Sequence, residues 1–150
     1  MGIVLFEGGR PYVFEAVASV RFAALDAWIA WGKGGHFVLK RLVGAPSILT
    51  PTSIKRLHAV ARTFKGKPYD LTFEWSDDRI YCSELVWKIY QPALGIKVGQ
   101  LQRLGEFRLH DPVVRSKLQE RYGNDIPINE PVISPAAMFN SKLLEVVADK

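Results

Sequence analysis

The apolar spacing that begins at Cys82 constrains the fold more than any other feature. Cys82, Leu85, Val86 and Ile89 recur at i, i+3, i+4 and i+7, one face of a 3.6-residue period. Pro92 is expected to stop the helix they define. The residues ahead of it, Trp75 to Ile80, are polar and turn-like. Cys82 therefore falls at a helix N-terminus, where unpaired N–H groups and the positive end of the helix dipole favour an anion. A thiol placed there can have its pKa lowered and supply a thiolate nucleophile. The same spacing also fits a buried cysteine used as a small apolar filler, and periodicity does not choose between the two.

Cys82 is the only cysteine, so no internal disulfide forms and the redox compartment stays open. At 150 residues, with 48% hydrophobic and 23% charged residues, the composition is that of a globular domain with one core. The longest apolar stretch, Phe22 to Trp31, is interrupted by Asp26 and is too short to span a bilayer, so no integral membrane segment is expected. No basic run precedes the first apolar residues, so no secretory signal is expected at this start. The net charge of +5 comes from scattered Lys and Arg, clustered only at Lys40-Arg41 and Lys65–Lys67. No nucleic-acid motif accompanies them, and the excess reads as solvated surface rather than as a nucleic-acid partner.

Taken in order, Gly2–Phe6 and Tyr12–Val17 flank a Gly-containing turn and read as a β-hairpin. Arg21 to Trp31 reads as a strand leading into a short helix ended by Gly32–Gly35. His36–Leu42 reads as a strand and Gly44–Ser47 as a loop. A helix is expected from about Ile54 to Phe64, capped by Thr52 or Ser53. Leu71–Trp75 looks like another strand. Leu104–Leu109 is expected to be extended, and Asp111-Pro112 opens a helix that runs to Tyr122 and stops at Gly123. A short helix from Pro135 to Phe139 and a strand over Leu143–Val147 close the chain.

Glu15 is the anomaly of the hairpin, since it shares a face with Val13 and Val17 by period-two alternation. It is either a solvated strand end or a functional carboxylate beside a histidine, because carboxylates are rarely buried unless paired. His36, His58 and His110 show no metal-ligand spacing with one another, and one cysteine is too few for a structural zinc site. Gly32-Lys33-Gly34-Gly35 lacks the pattern of a phosphate-cradling loop. No cofactor or metal is called for.

Several segments together resemble the YiiX-like group of the NlpC superfamily, the circularly permuted papain-like amidases. They are Gly2-Ile3-Val4-Leu5, Tyr12-Val13-Phe14-Glu15-Ala16, Gly66-Lys67-Pro68-Tyr69-Asp70, Ile80-Tyr81-Cys82-Ser83-Glu84-Leu85-Val86 and Ile133-Ser134-Pro135. Tyr-Cys-Ser-Glu-Leu-Val is the specific part. The resemblance implies an α+β fold with a small antiparallel sheet or barrel packed against helices, cut and rejoined so that the histidine strand precedes the cysteine helix. It implies hydrolysis of amide or ester bonds by a cysteine, a histidine base and a polar orienting residue. Cys82 matches the nucleophile and Glu15 the orienting residue, while Tyr69 and Tyr81 are expected to line the substrate pocket.

In that family the histidine lies immediately before the Gly-Ile-Val strand, ahead of Met1 in this numbering, and follows a strand with a Gly-Asp motif. Residues 1–150 are therefore expected to form one permuted papain-like domain that is N-terminally incomplete. A natural form without the base is the alternative, as is His36 acting as a substitute from a neighbouring strand. The expected activity is a cysteine amidase or peptidase on small peptide-like or cell-wall-derived substrates. The rivals are a thiol-dependent acyltransferase or lipid-ester hydrolase, and a non-catalytic binding module of the same fold. Uncovered core surface would favour a homodimer.

Overall fold

A computed structural model describes residues 1–107, 109 and 111–150, with the side chain of Val113 outside that description. The hairpin forms as the alternation predicts. Strands β1 (Gly2–Glu7) and β2 (Arg10–Ala16) pair antiparallel from Gly2↔Glu15 to Glu7↔Arg10. The two-residue turn between them is made by Gly8 and Gly9 at φ 58° and 79°, the left-handed pair that matches strand twist. Strand β3 (Val20–Ala24) adds to the other side of β2, giving the order β1-β2-β3. Helix α1 (Leu25–Ala30) follows at once. Strand β4 (Val38–Leu42) pairs with the last strand, β7 (Leu144–Asp149), and β5 (Gln102–Arg103) with β6 (Pro131–Val132). The β part is thus three separate antiparallel sheets among the described residues, not a closed barrel.

Helices α2 (Ala45–Ile48), α3 (Pro51–Phe64), α4 (Cys82–Leu94), α5 (Pro112–Tyr122) and α6 (Pro135–Phe139) complete the α+β architecture. Helix α4 is the centre. It packs against α3 on one side and the β1–β2 hairpin on the other. Leu85 and Ile89 are fully buried, each contributing about 1.5–3 kcal/mol by leaving water. Phe14 of β2, Ala61 of α3 and Ile80 just ahead of α4 close the same core with no exposed surface.

Several local expectations are corrected. Helix α3 begins at Pro51 and is capped by Thr50, whose Oγ1 accepts the Ser53 N–H at 3.2 Å, because Pro51 suits the first helical position and needs no donor. Ala45–Ile48 is a helical turn rather than a loop, entered from Gly44 at φ 74° with Pro46 in its first turn. Pro92 does not stop α4: it lies in the last turn, where one lost bond is tolerated, and Gly95 at φ 71° ends the helix. Residues 104–106 form a 3₁₀ turn instead of continuing an extended run. Leu71–Trp75 is not a strand. Asp70 Oδ1 takes the Thr72 N–H and hydroxyl, each at 2.7 Å, and Glu130 Oε1 takes the Trp75 N–H at 2.6 Å. Phe73 sits between them at φ 55°, so no ladder can form there.

Candidate active site

Cys82 is the first residue of α4, following Tyr81 in extended conformation at φ −100° and ψ 168°. The thiol is free and half-buried, so it is neither a core filler nor fully solvated. Its N–H, at the first helical position, has no intrahelical acceptor. Both neighbours are bolted to one residue. Tyr81 Oη accepts the Ile133 N–H at 3.0 Å, and Ser83 Oγ donates to the Ile133 carbonyl at 2.8 Å. Tyr81, Ser83 and Ile133 are all buried, so this clamp fixes the direction in which the intervening cysteine leaves the helix. Glu84 completes the turn by reaching back to accept the Tyr81 N–H at 3.3 Å.

Tyr69 is brought to the thiol. The chain around it is held by a parallel bridge to Ile80, and Asp70 N–H donates to the Ile80 carbonyl at 3.2 Å. Burial, then the Cys82 sulfur beside the hydroxyl, push the Tyr69 phenol above its ordinary pKa. Tyr81 lies the other way. Its ring is 2% exposed and stacks edge-on against Phe73 with centroids 5.1 Å apart. Burial drives its phenol far above the ordinary range. The ring has no path to a substrate, and the expectation that it lines the pocket is replaced by a place in the clamp on Ile133.

Glu15 is not a solvated strand end. It is 3% exposed, with Oε2 accepting the Trp28 indole N–H at 2.7 Å and Oε1 facing Arg21 at 3.4 Å. Arg21 is stacked in turn over the Trp31 ring, 5.0 Å from its centroid. Opposite Glu15 on β1 stands Gly2, where an added Cβ would meet the Phe14 carbonyl and Val13 Cγ1 at 2.6 Å and the Glu15 Cβ at 3.2 Å. Strand β2 packs on α4, which brings the two strands and the cysteine helix together. No hydrogen bond joins Glu15 to Cys82 among the described residues.

The two described histidines are engaged with carboxylates elsewhere. His36 Nε2 lies 3.1 Å from Asp149 Oδ1 at the exposed end of the β4–β7 ribbon. His58 Nδ1 lies 3.2 Å from Glu7 Oε1, which also holds Arg62. His36 is thus engaged with a carboxylate on its own ribbon, and no hydrogen bond joins it to Cys82 among the described residues. His110 lies outside the described residues.

Sequence reading gave no weight to three buried charges near the site. Asp70 is completely buried; besides its Thr72 bonds, its Oδ2 has no hydrogen-bond partner among the described residues. Glu84 is also completely buried, and burial lifts its carboxyl to about 7 against the opposing pull of Lys88. Lys88 Nζ sits 2.8 Å from Glu84 Oε1. Glu84 at the third helical position and Lys88 four residues on were the readable signals.

A family model described as permuted papain-like amidase enzyme, YaeF/YiiX, C92 family, matches residues 1–148. The chain is 48% identical to YiiX of Escherichia coli (strain K12) over 147 residues, spanning 98% of this chain and 71% of that protein. A crystal structure described as metalloprotein yiiX from Escherichia coli O157:H7 superposes with a TM-score of 0.92 at 47% identity, covering 99% of this chain and 81% of the other. The chain belongs to the C92 family of permuted papain-like amidases, a group of cysteine hydrolases.

Proposed function

We propose that the chain is a cysteine amidase for small peptide-like or cell-wall-derived substrates. Cys82 is the nucleophile, Glu15 the carboxylate that orients a histidine base, and Tyr69 a wall of the substrate side. The observation that carries this reading is the half-buried thiol on the first residue of α4 with the Tyr69 hydroxyl beside it. In the reaction the imidazole takes the thiol proton and the thiolate adds to the amide carbonyl. The Cys82 N–H donates to the oxyanion so formed. The imidazolium then gives its proton to the departing amine, leaving a thioester. Water, deprotonated by the same imidazole, cleaves that thioester and restores the thiol. Glu15 accepts the imidazole's other N–H, fixing its tautomer and balancing the imidazolium charge.

The imidazole is proposed to enter from the N-terminal side of β1. Alternation puts the residue before Met1 on the face of Gly2 and Glu15, and glycine adds no side chain between that residue and the Glu15 side of the sheet. A second reading, a binding module that keeps the cleft without the chemistry, is favoured by the engagement of His36 with Asp149 and of His58 with Glu7. The related crystal structure is described as a metalloprotein. Among the described residues here, no three His, Cys, Asp or Glu side chains converge as a metal site would require, and no step is routed through one.

The test is labelling of Cys82 by a peptide epoxide at neutral pH, with and without an upstream extension that supplies a histidine. Trapping faster than free cysteine, lost in Cys82→Ala, supports the hydrolase. Labelling at the free-cysteine rate in both forms overturns it in favour of the binding module. Diversion of product by an added amine would assign an acyltransferase instead.

A further inference from the structure

Helix α5 buries little, yet its last turn carries a positive charge to the side of the molecule that holds the cysteine. The guanidinium carbon of Arg121 lies over the Phe73 ring, 4.7 Å from its centroid. Phe73 in turn packs edge-on against Tyr81, the residue before Cys82. Its backbone is left-handed at φ 55°, a conformation that large side chains rarely adopt. Thr72, bonded to Asp70, and Trp75, bonded to Glu130, hold the chain there on either side. These tethers fix the ring, and the ring sets where the guanidinium rests. From that place the charge of Arg121 reaches the Tyr69 hydroxyl, where it opposes the rise in pKa produced by burial and then by the Cys82 sulfur.

Arg121 is exposed, and it enters no ion pair among the described residues; its neighbour Glu120 pairs with Lys117 instead. Other acids bear on the same corner. Burial, then Asp70 and Glu74, push the Tyr122 phenol up to about 12, with Glu130 adding to them and Arg121 opposing. A cation in the last turn of a helix also balances the helix dipole, but that role needs no aromatic shelf. A guanidinium lying on a ring keeps its in-plane N–H donors free, and their fork matches a carboxylate.

We infer that Arg121 is a specificity-determining residue of the cysteine site, binding a free carboxylate on peptide-like substrates close to the amide that Cys82 attacks. The inference rests on the reading of Cys82 as nucleophile, but its test needs no turnover. Because Cys82 is the only cysteine, alkylation reports this thiol alone. Bromoacetyl-glycine and bromoacetyl-glycinamide differ by one carboxylate and read the same thiolate, so the ratio of their rates is blind to the thiol's own pKa.

Relative to the same ratio in the urea-unfolded chain, the folded chain is expected to favour the acid by about fivefold. Arg121→Gln should return the ratio to the unfolded value or below it, since the acids around Tyr122 then stand unopposed. Arg121→Lys, which keeps the charge and loses the fork, should keep a smaller preference. Arg115→Gln removes an equal charge earlier on the same helix and should leave the ratio unchanged, which separates a local site from the overall charge of +5. No preference for the acid in the folded chain overturns the inference, and so does a preference that survives Arg121→Gln. The first comparison needs no variant and decides even if Arg121→Gln does not fold. Slow epoxide trapping with the preference intact would remove the hydrolase and leave a carboxylate-binding cleft, whereas rapid trapping without the preference would remove this inference alone.

Discussion

Helices α4 and α5 are of nearly equal length, 13 and 11 residues, and differ in almost everything they bury. Helix α4 hides Ser83, Glu84, Leu85, Val86, Ile89 and Ala93, and its i,i+4 ion pair lies inside the protein. Helix α5 is polar nearly all round. Leu118 is its buried side chain among the described residues, and its Lys117–Glu120 pair at 2.7 Å is more than 60% exposed on both sides. Both helices have orderly ends: Asp111 Oδ1 accepts the Val114 N–H at 3.4 Å, and Gly123 at φ 62° follows α5. End signals therefore specify where a helix runs, whereas the inward face decides whether it can hold a reactive group in place.

The contrast can be broken by mutation. Leu85→Ala should be the most costly change, destabilising by about 2–5 kcal/mol in urea unfolding, because a fully buried side chain in a two-sided contact leaves a cavity. A loss below about 1 kcal/mol would mean that α4 is not the keystone of the core.

The buried pair in α4 should next show itself through pH. The Glu84 carboxyl titrates near 7 in the folded chain and near 4.5 when free, so folding takes up a proton between those values. Its contribution to stability is therefore full below pH 4.5 and declines as pH rises toward 7, by up to about 3 kcal/mol. Glu84→Gln should remove that slope, and identical stability-against-pH curves for the two proteins would refute it. Leu118→Ala in α5 should cost about 1–2 kcal/mol, since its surroundings can relax toward solvent. Glu120→Gln should leave the melting temperature unchanged, because an exposed pair contributes little. A clear fall would show that α5 depends on its surface charges.

The same contrast explains what was legible in the sequence. The period of α4, the alternation of the hairpin and the Asp-Pro and Gly ends of α5 are local signals, and each located its element, although α4 runs on through Pro92 to Leu94. Leu71–Trp75 carries strand-like residues, but its backbone bonds go to Asp70 and to Glu130, a residue 55 positions away from Trp75. The burial of Glu15 depends on Trp28 and Arg21, supplied by the helix and strand that follow it. Tyr81 turns inward because Ile133, 52 residues later, offers it a backbone N–H. Partners at that separation leave no periodic trace. The family motif conveyed Cys82 and Glu15 together, which spacing alone could not do.

Gly2 carries a consequence for how this protein can vary. A single methyl there would strike the facing strand at 2.6 Å, well inside van der Waals contact. It would act as a wedge, prying the first strand off its neighbour and tilting the roof above the Glu15 carboxylate. So close an approach leaves no room for a side chain, and alanine, elsewhere the mildest replacement, is expected to be among the harshest here.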